Sequence, residues 1–473
     1  MGARRRVVAV DAESEARFDR AFEFLKTKVD LSQANAQHPV RANAVYTTAV
    51  VLWMLVYQRM NPDTSLEAAV KKLVKSKPDF LPDNKRVTKG TLSTNTGTYS
   101  QARTAMPLKA SEWFAQQVSQ SLIDATRPSL GNRRVFTIDG TTIKLAPEPE
   151  LQKVFPPASN QYGESVFPVA LLTVCHELSS GAALIPEVGA MYGPNAVSET
   201  SLIRRNLLRL PPGSVVMGDA GFGIFYVAHQ IATAGHGFLL RMTKQRFVSL
   251  TKKAELVESD EYRKVWIHEW KPSAKERKSH PLLPQDAVLK VRLHEIVINE
   301  HLTLLLVTDL SDSSAVLADL YKRRVDVEID IRNLKVVLNT ENIRARSEDT
   351  FLKELLASVV SYNLVTQFRC QAAELAEQPP RRMSFKRTWT TFTTFLLSSM
   401  FTDAALWRRQ YHIALSYATL DKLPNRPDRR FEREAYPARP KSNQFKKRTR
   451  DPKPPDRIIQ KIPTDSTPQI HKI

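Results

Sequence analysis

The sequence has 473 residues, more than one hydrophobic core usually organises, so two to four domains are expected. Apolar residues make up 42%, enough for a sizeable core, and 69 Lys plus Arg against 49 Asp plus Glu leave a net charge of +20. That imbalance favours a polyanionic partner, nucleic acid ahead of an acidic membrane surface, and two cysteines exclude a disulfide framework or a Cys-rich zinc site and fit a reducing cytoplasm.

The opening "MGARRRVVAVDAESEARF" has charge but no long apolar stretch, so no secretion signal is expected. Residues 16–125 carry helical patterns, from "EARFDRAFEFLKTKV" through "SLEAAVKKLVK" to "KASEWFAQQVSQSLIDA". The apolar run "AVVLWMLVY" at 49–57 is about half the length of a membrane span and reads as a buried helix of a soluble protein. Trp53 and Trp113 sit in such apolar patterns and are expected in the core. After the breaker-rich "TRPSLGNRR" (126–134), three runs predict a strand meander: "VFTIDGTTIKL", "VFPVALLTVCHEL" and "GAALIPEVGAMYG". A helix ("SETSLIRRNLLRL"), a short buried strand ending in glycines ("GSVVMGDAGFG"), a helix closed by glycine ("IFYVAHQIATAGHG") and a strand ("FLLRMT") follow. The implied architecture is α/β, a central sheet carrying helices. Residues 245–298 read as a β-rich insertion, "HLTLLLVTDL" resumes the sheet, and long helices are predicted at 313–338 and 348–375. The chain is then helical to about 418. Between 421 and 473, 15 Lys or Arg, 7 Asp or Glu and 9 Pro favour an extended basic arm.

Three acids stand out. Asp139 lies inside a strand pattern, although an Asp-Gly pair is also a turn signal. Asp219 ends a buried strand, the edge where sites in sheets with parallel strands collect. Its "GDAGFG" lacks the third glycine of a dinucleotide fingerprint and the Gly-Lys-Ser/Thr of a phosphate loop. In the 313–338 helix, Tyr321, Arg324, Glu328 and Lys335 fall within an arc of roughly 60°, while Asp326 and Asp330 point to nearly the opposite face. A polar stripe between apolar walls suits a cleft, although Arg324 and Glu328 also fit an ordinary i,i+4 pair. Two strand-borne Asp and a helix-borne Glu suit two Mg²⁺ ions, with Mn²⁺ as substitute, for phosphodiester cleavage. Arg and Lys beside them suit phosphate. His268-Glu269 and His294-Glu295 lack the second His of a zinc-protease helix, and no serine triad signature is present. Arg241 reads equally as a site-facing residue or a structural ion-pair member.

At these residues the chain resembles bacterial insertion-sequence DDE transposases of the group named after insertion sequence four. Tyr321-x2-Arg324-x3-Glu328-x6-Lys335 matches that group's tyrosine-arginine-glutamate-lysine signature in full, "IDGTT" resembles its first catalytic Asp motif and "GDAGF" its second. "YSQARTAMPL", "FPPASNQYGESVFPVALL" and the basic "RPDRRFEREAYPARPKSNQFKKRTR" are also similar, so the resemblance spans about residues 45–450. It implies an RNase H-like catalytic domain at 128–375 with the β-rich insertion at about 245–298. A helical DNA-binding region at 1–127 and a helical, basic, Pro-rich region at 376–473 complete the expected division. The resemblance further implies that Asp139, Asp219 and Glu328 ligate two Mg²⁺, and that Tyr321, Arg324 and Lys335 grip DNA. The implied partners are double-stranded DNA, as terminal inverted repeats and target, and a second copy of the chain, with no membrane and a cytoplasmic location. Relatives often have Asp-Arg-Gly-Phe at the second motif; here Ala220 replaces the Arg and removes a phosphate contact. A catalytically inactive DNA-binding relative is the alternative, and a general RNase H-like nuclease a third reading. On this reading Asp326→Ala and Asp330→Ala leave cleavage nearly intact whereas Glu328→Ala abolishes it.

Overall fold

The computed structural model describes residues 31–41, 43–61, 63–76, 81–160, 163–337, 343, 345–398 and 404–424. The helix expected before residue 30 and the basic arm beyond 424 lie outside them. The helices used below are α1 (Thr48–Met60), α2 (Leu66–Ser76), α3 (Leu108–Asp124), α4 (Phe225–Thr233), α5 (Lys244–Thr251), α6 (Ser314–Lys322), α7 (Val325–Arg332), α8 (Glu348–Leu375), α9 (Phe385–Ser398) and α10 (Ala404–Ala418). The strands are β1 (Val135–Lys144), β2 (Pro157–Asn160), β3 (Gly163–Glu177), β4 (Glu187–Ala190), β5 (Val215–Gly218), β6 (Gly237–Arg241), β7 (Glu255–Ser259), β8 (Arg263–Trp270), β9 (Leu289–Asn299) and β10 (Leu302–Thr308).

The strands form one sheet in the order β2-β3-β1-β5-β6-β10-β9-β8-β7, with β4 added beside β3. β1, β5 and β6 run parallel, while β3 beside β1 and β10 beside β6 are antiparallel. The 245–298 segment supplies β7, β8 and most of β9, and through the β9–β10 pairing it prolongs the central sheet. The third predicted meander strand shrinks to the four residues of β4. Ala183 makes only an isolated bridge to His176, and Pro186, which has no N–H to donate, interrupts the run between them.

Strand alternation divides the central core in two. Phe136, Ile138, Val216, Phe238 and Leu240 face α4 with Phe225, Val227 and Ile231. Val135, Val215, Met217 and Leu239 face α6 with Leu317, Leu320 and Tyr321. The long helix α8 is buried nearly all round, as its run of apolar and small residues requires. It gathers α1, α3, α9 and α10 into a third core, in which Trp53 is buried and Trp113 packs at the margin. Charges lock this arrangement: Glu354 of α8 meets Arg103 at 2.9 Å and Arg59 at 3.4 Å. The Lys353 ammonium donates to the carbonyls of Arg103 and Thr104. Among the described residues no helix is long and apolar enough to cross a membrane.

The predicted helix at 313–338 is not continuous. α6 stops at Lys322, the amides of Arg323, Arg324, Asp326 and Val327 bond three residues back, and after α7 the chain widens into a π-helical turn, Asn333–Val337. Tightened turns over-rotate and π turns under-rotate relative to 100° per residue, so one angular count cannot run across all three pieces.

Two buried histidines give the fold a pH dependence. Burial pushes His176 and His294 down to about 4. Protonating either ring costs more in the folded than in the unfolded chain, whose histidines titrate near ~6.5. Their contribution is therefore complete above that value and is lost as pH falls toward about 4. The melting temperature is expected to fall steadily over this interval, and His176→Phe should flatten the slope in a thermal scan series.

Candidate active site

Parallel pairing matches Thr137 of β1 with Met217 of β5. Two residues beyond that pair come Asp139, still within β1, and Asp219, one residue past the end of β5. Alternation sends Asp139 toward the face that holds Val135, Val215 and Met217, and both carboxylates lie near enough to Tyr321 of the covering α6 to act on its hydroxyl. The two carboxylates thus stand at the same level on neighbouring strands, at the carboxyl end of the parallel pair. Asp139 lies within β1 and pairs with Val174 of β3, so "IDGTT" is strand and the turn alternative falls. Gly140 serves a different purpose. A Cβ there would lie 2.0 Å from the Glu199 side chain, which packs closely on the sheet's other face.

The loop after β5 holds Asp219 tightly. Its Oδ1 accepts from the Gly221 amide at 2.8 Å, and buried Phe222 anchors the turn by donating its backbone N–H to the Asp219 carbonyl. At Gly223 an added Cβ would sit 2.0 Å from the Arg241 carbonyl, so only glycine lets the loop approach β6. Arg246 of α5 donates to the carbonyls of Ala220 and Gly223 at 2.9 and 3.3 Å. A guanidinium therefore reaches the second motif from a distant position, beside Ala220. Arg241 is exposed at the end of β6 and, among the described residues, makes no ion pair. With Ala220, Lys244 and His301 it lines a cleft of about 680 Å³ next to this loop.

From the covering side, Tyr321 closes the floor. Its hydroxyl donates to the Gly218 carbonyl at 3.4 Å, and burial pushes it up to about 12. One tightened turn later Arg324 bridges two acids. Its guanidinium is 3.6 Å from Asp139 Oδ2 and in direct contact with the Glu328 carboxylate. The i,i+4 pair is therefore real but not isolated. Glu328 is about half exposed, flanked by exposed Val325 and Ile329. Burial raises Asp139 above the ordinary carboxylate range and nearby Asp219 and Glu328 add to the rise, against the Gly140 amide and Arg324. Lys335 is half-buried on the π-helical turn.

Among the described residues no three acidic, histidine or cysteine side chains are gathered closely enough to form a ready metal cage. The donor set nevertheless suits a hard cation. It consists of carboxylate oxygens, and Arg324 already places positive charge between Asp139 and Glu328, as a stand-in ion would.

Asp326 and Asp330 do lie away from Glu328, but their face is the inward one. Asp330 is wholly buried and takes a two-pronged contact from Arg381, at 2.5 and 2.8 Å. Alanine at 330 is thus a structural lesion and not the innocuous change the angular count predicts. A signal for this existed: buried Val327 and Leu334 bracket Asp330 at helical spacing, and an acid on an apolar face implies a buried cation. Nothing in the sequence pointed to Arg381 or Arg246 as the partners.

Residues 130–364 match the family described as Transposase DDE domain. The chain is 22% identical over 365 residues to Transposase InsG for insertion sequence element IS4 of Escherichia coli strain K12, covering 73% of this chain and 78% of that protein. It is also similar to a chain in the cryo-EM structure of the piggyBac transposase synaptic complex with hairpin DNA, at 9% identity and a TM-score of 0.37, covering 87% of this chain and 84% of the other.

Proposed function

We propose that the chain is a DDE transposase of the IS4 group with an RNase H-like α/β core, and that Asp139, Asp219 and Glu328 form its catalytic acidic triad. The observation that carries the proposal is the Arg324 guanidinium tying Glu328 to Asp139, beside an Asp219 that the β1–β5 register sets level with Asp139. Two divalent ions, Mg²⁺ or Mn²⁺, held by these carboxylates would activate water or a 3′-hydroxyl and stabilise the leaving oxygen. The protein's own residues do the rest. Register holds Asp139 and Asp219 side by side, the glycine loop fixes Asp219, and α7 presents Glu328 at the open side. Tyr321 keeps the floor dry, and Arg324 and Lys335 meet the phosphate backbone. The substrate on this reading is double-stranded DNA carrying the element's inverted-repeat ends, cut and joined to target DNA by a dimer. The charge of +20 supports strong, salt-sensitive attraction to it.

Incubating the protein with DNA bearing its own element's ends, with Mg²⁺ and separately with Ca²⁺, tests this. End-specific nicking in Mg²⁺ supports it; binding without cleavage in any metal makes the chain a DNA-binding relative instead. Arg324 yields a second test. Because its guanidinium competes for Asp139 and Glu328, Arg324→Gln should bind Mn²⁺ several-fold more tightly in the absence of DNA while cleaving more slowly. Paramagnetic resonance of free Mn²⁺ measures the first effect independently of catalysis, and unchanged affinity would contradict the competition.

A further inference from the structure

α7, which carries Glu328, has only eight residues and is poorly fixed by its own chain. A tightened turn precedes it and a π-helical turn follows, so neither neighbouring helix dictates its rotation. Val325 and Ile329 on its Glu328 side are exposed. On the inward side, by contrast, Arg381 lays its guanidinium along the Asp330 carboxylate, with Nη1 at 2.5 Å from Oδ1 and Nη2 at 2.8 Å from Oδ2. Its Nε lies 3.6 Å from Asp326 of the same helix. Two carboxylates one turn apart on a single cation define the helix's rotation as well as its position.

Arg381 is itself held firmly. It sits in the short 3₁₀ turn Pro380–Arg382, where two prolines restrict the backbone. That turn is stapled to the chain after α10: the Leu423 amide donates to the Arg382 carbonyl, and Ser384 donates to Asp421. Gly181, with φ of +78°, gives the guanidinium room, since a Cβ there would lie 3.2 Å from Arg381 Nη2 and 2.9 Å from Arg369 Nη2. The Tyr362 hydroxyl fixes that glycine by donating to its carbonyl at 3.0 Å. Burial opposes ionisation of Asp330, but the charge and hydrogen bonds of Arg381 overcome it and hold the carboxyl below its ordinary range.

We propose that Arg381, which lies beyond the 130–364 family match, is a positioning residue for the active site, orienting Glu328 through Asp330 and Asp326. The inference rests on the reading of Glu328 as a catalytic ligand. It predicts that the rotation of α7, and with it the reach of Glu328 toward Asp139 and Asp219, depends on the guanidinium fork and not on positive charge alone. Lysine cannot reproduce that planar two-pronged contact.

The test uses the full chain and Arg381→Lys, with Asp330→Asn as a second variant that keeps shape but removes charge. Hydrogen exchange is followed along α7, β1, β5 and α8, and single-turnover cleavage at saturating end DNA is measured across a Mg²⁺ series. The expected result is exchange at least about tenfold faster confined to α7, unchanged DNA affinity and a several-fold higher Mg²⁺ requirement. Wild-type exchange in α7 with an unchanged Mg²⁺ requirement overturns the proposal. Loss of protection spread equally over β1, β5 and α8 also overturns it, because Arg381 then only stabilises the fold. Should Arg381→Lys not fold, Asp330→Asn is judged by the same two outcomes. Glu328→Ala separates the two readings: if it cleaves like wild type, the catalytic assignment fails, while the exchange data still decide whether Arg381 anchors α7.

Discussion

Glu328→Ala should abolish Mg²⁺-dependent nicking at the element's ends, by on the order of 10³-fold or more, with end binding nearly unchanged. The side chain is half exposed and its contact is with Arg324, so removing it costs the fold little and the loss reports on chemistry. Asp139→Ala and Asp219→Ala should fail to a similar degree. Double replacements should be scarcely worse than single ones, because ligands of a shared centre act as a unit. Gel assays on labelled end DNA, run beside a mobility-shift measurement, decide the matter. Retention of even a tenth of the activity in all three would contradict the assignment.

The second large effect is on stability. Asp330→Ala leaves the Arg381 guanidinium inside the protein without its bidentate partner, and breaking a buried pair from one side costs roughly 3–5 kcal/mol. Urea unfolding should show a loss of stability of that size, read as a lower midpoint at unchanged slope. Asp326, 3.6 Å from the same arginine and partly exposed, should cost much less when replaced. A joint Asp330→Leu, Arg381→Met replacement should recover most of the stability, since apolar residues of similar volume often substitute for a buried pair. A shift below about 1 kcal/mol for Asp330→Ala would show that water reaches the pair.

The parts of the site legible in the sequence obey short-range rules. Asp139 and Asp219 announce themselves as acids in or just after otherwise apolar strand patterns, and the parallel pairing of β1 with β5 brings them to one end of the sheet. Tyr321, Arg324 and Glu328 lie within two turns, so the spacing survives even though the helix does not run straight. The break at Arg323–Arg324 and the π turn at Asn333–Val337 escaped because neither contains Gly or Pro; long-range contacts such as Arg323 to the Leu178 carbonyl hold the chain there. The same limit hides Arg381 from Asp330 and Arg246 from Ala220, pairs separated by 51 and 26 positions. The aliphatic run at 182–186 has the pattern of a strand, but Pro186 offers no N–H to a neighbour and only an isolated bridge forms there.

The wrapping of α8 has a consequence for how the chain is made. α1 and α3 leave the ribosome long before the helix that covers their apolar faces; the Arg103–Glu354 bond alone spans 251 positions. Until residues 348–375 have been synthesised, those faces have no native partner, and closing so long a loop is slow. Nascent chains arrested before α8 should therefore be sticky, chaperone-bound and protease-sensitive at the amino end, even with the central strands already made. Completion of α8 and the 3₁₀ turn after it would convert that loose intermediate, late and cooperatively, into the closed protein.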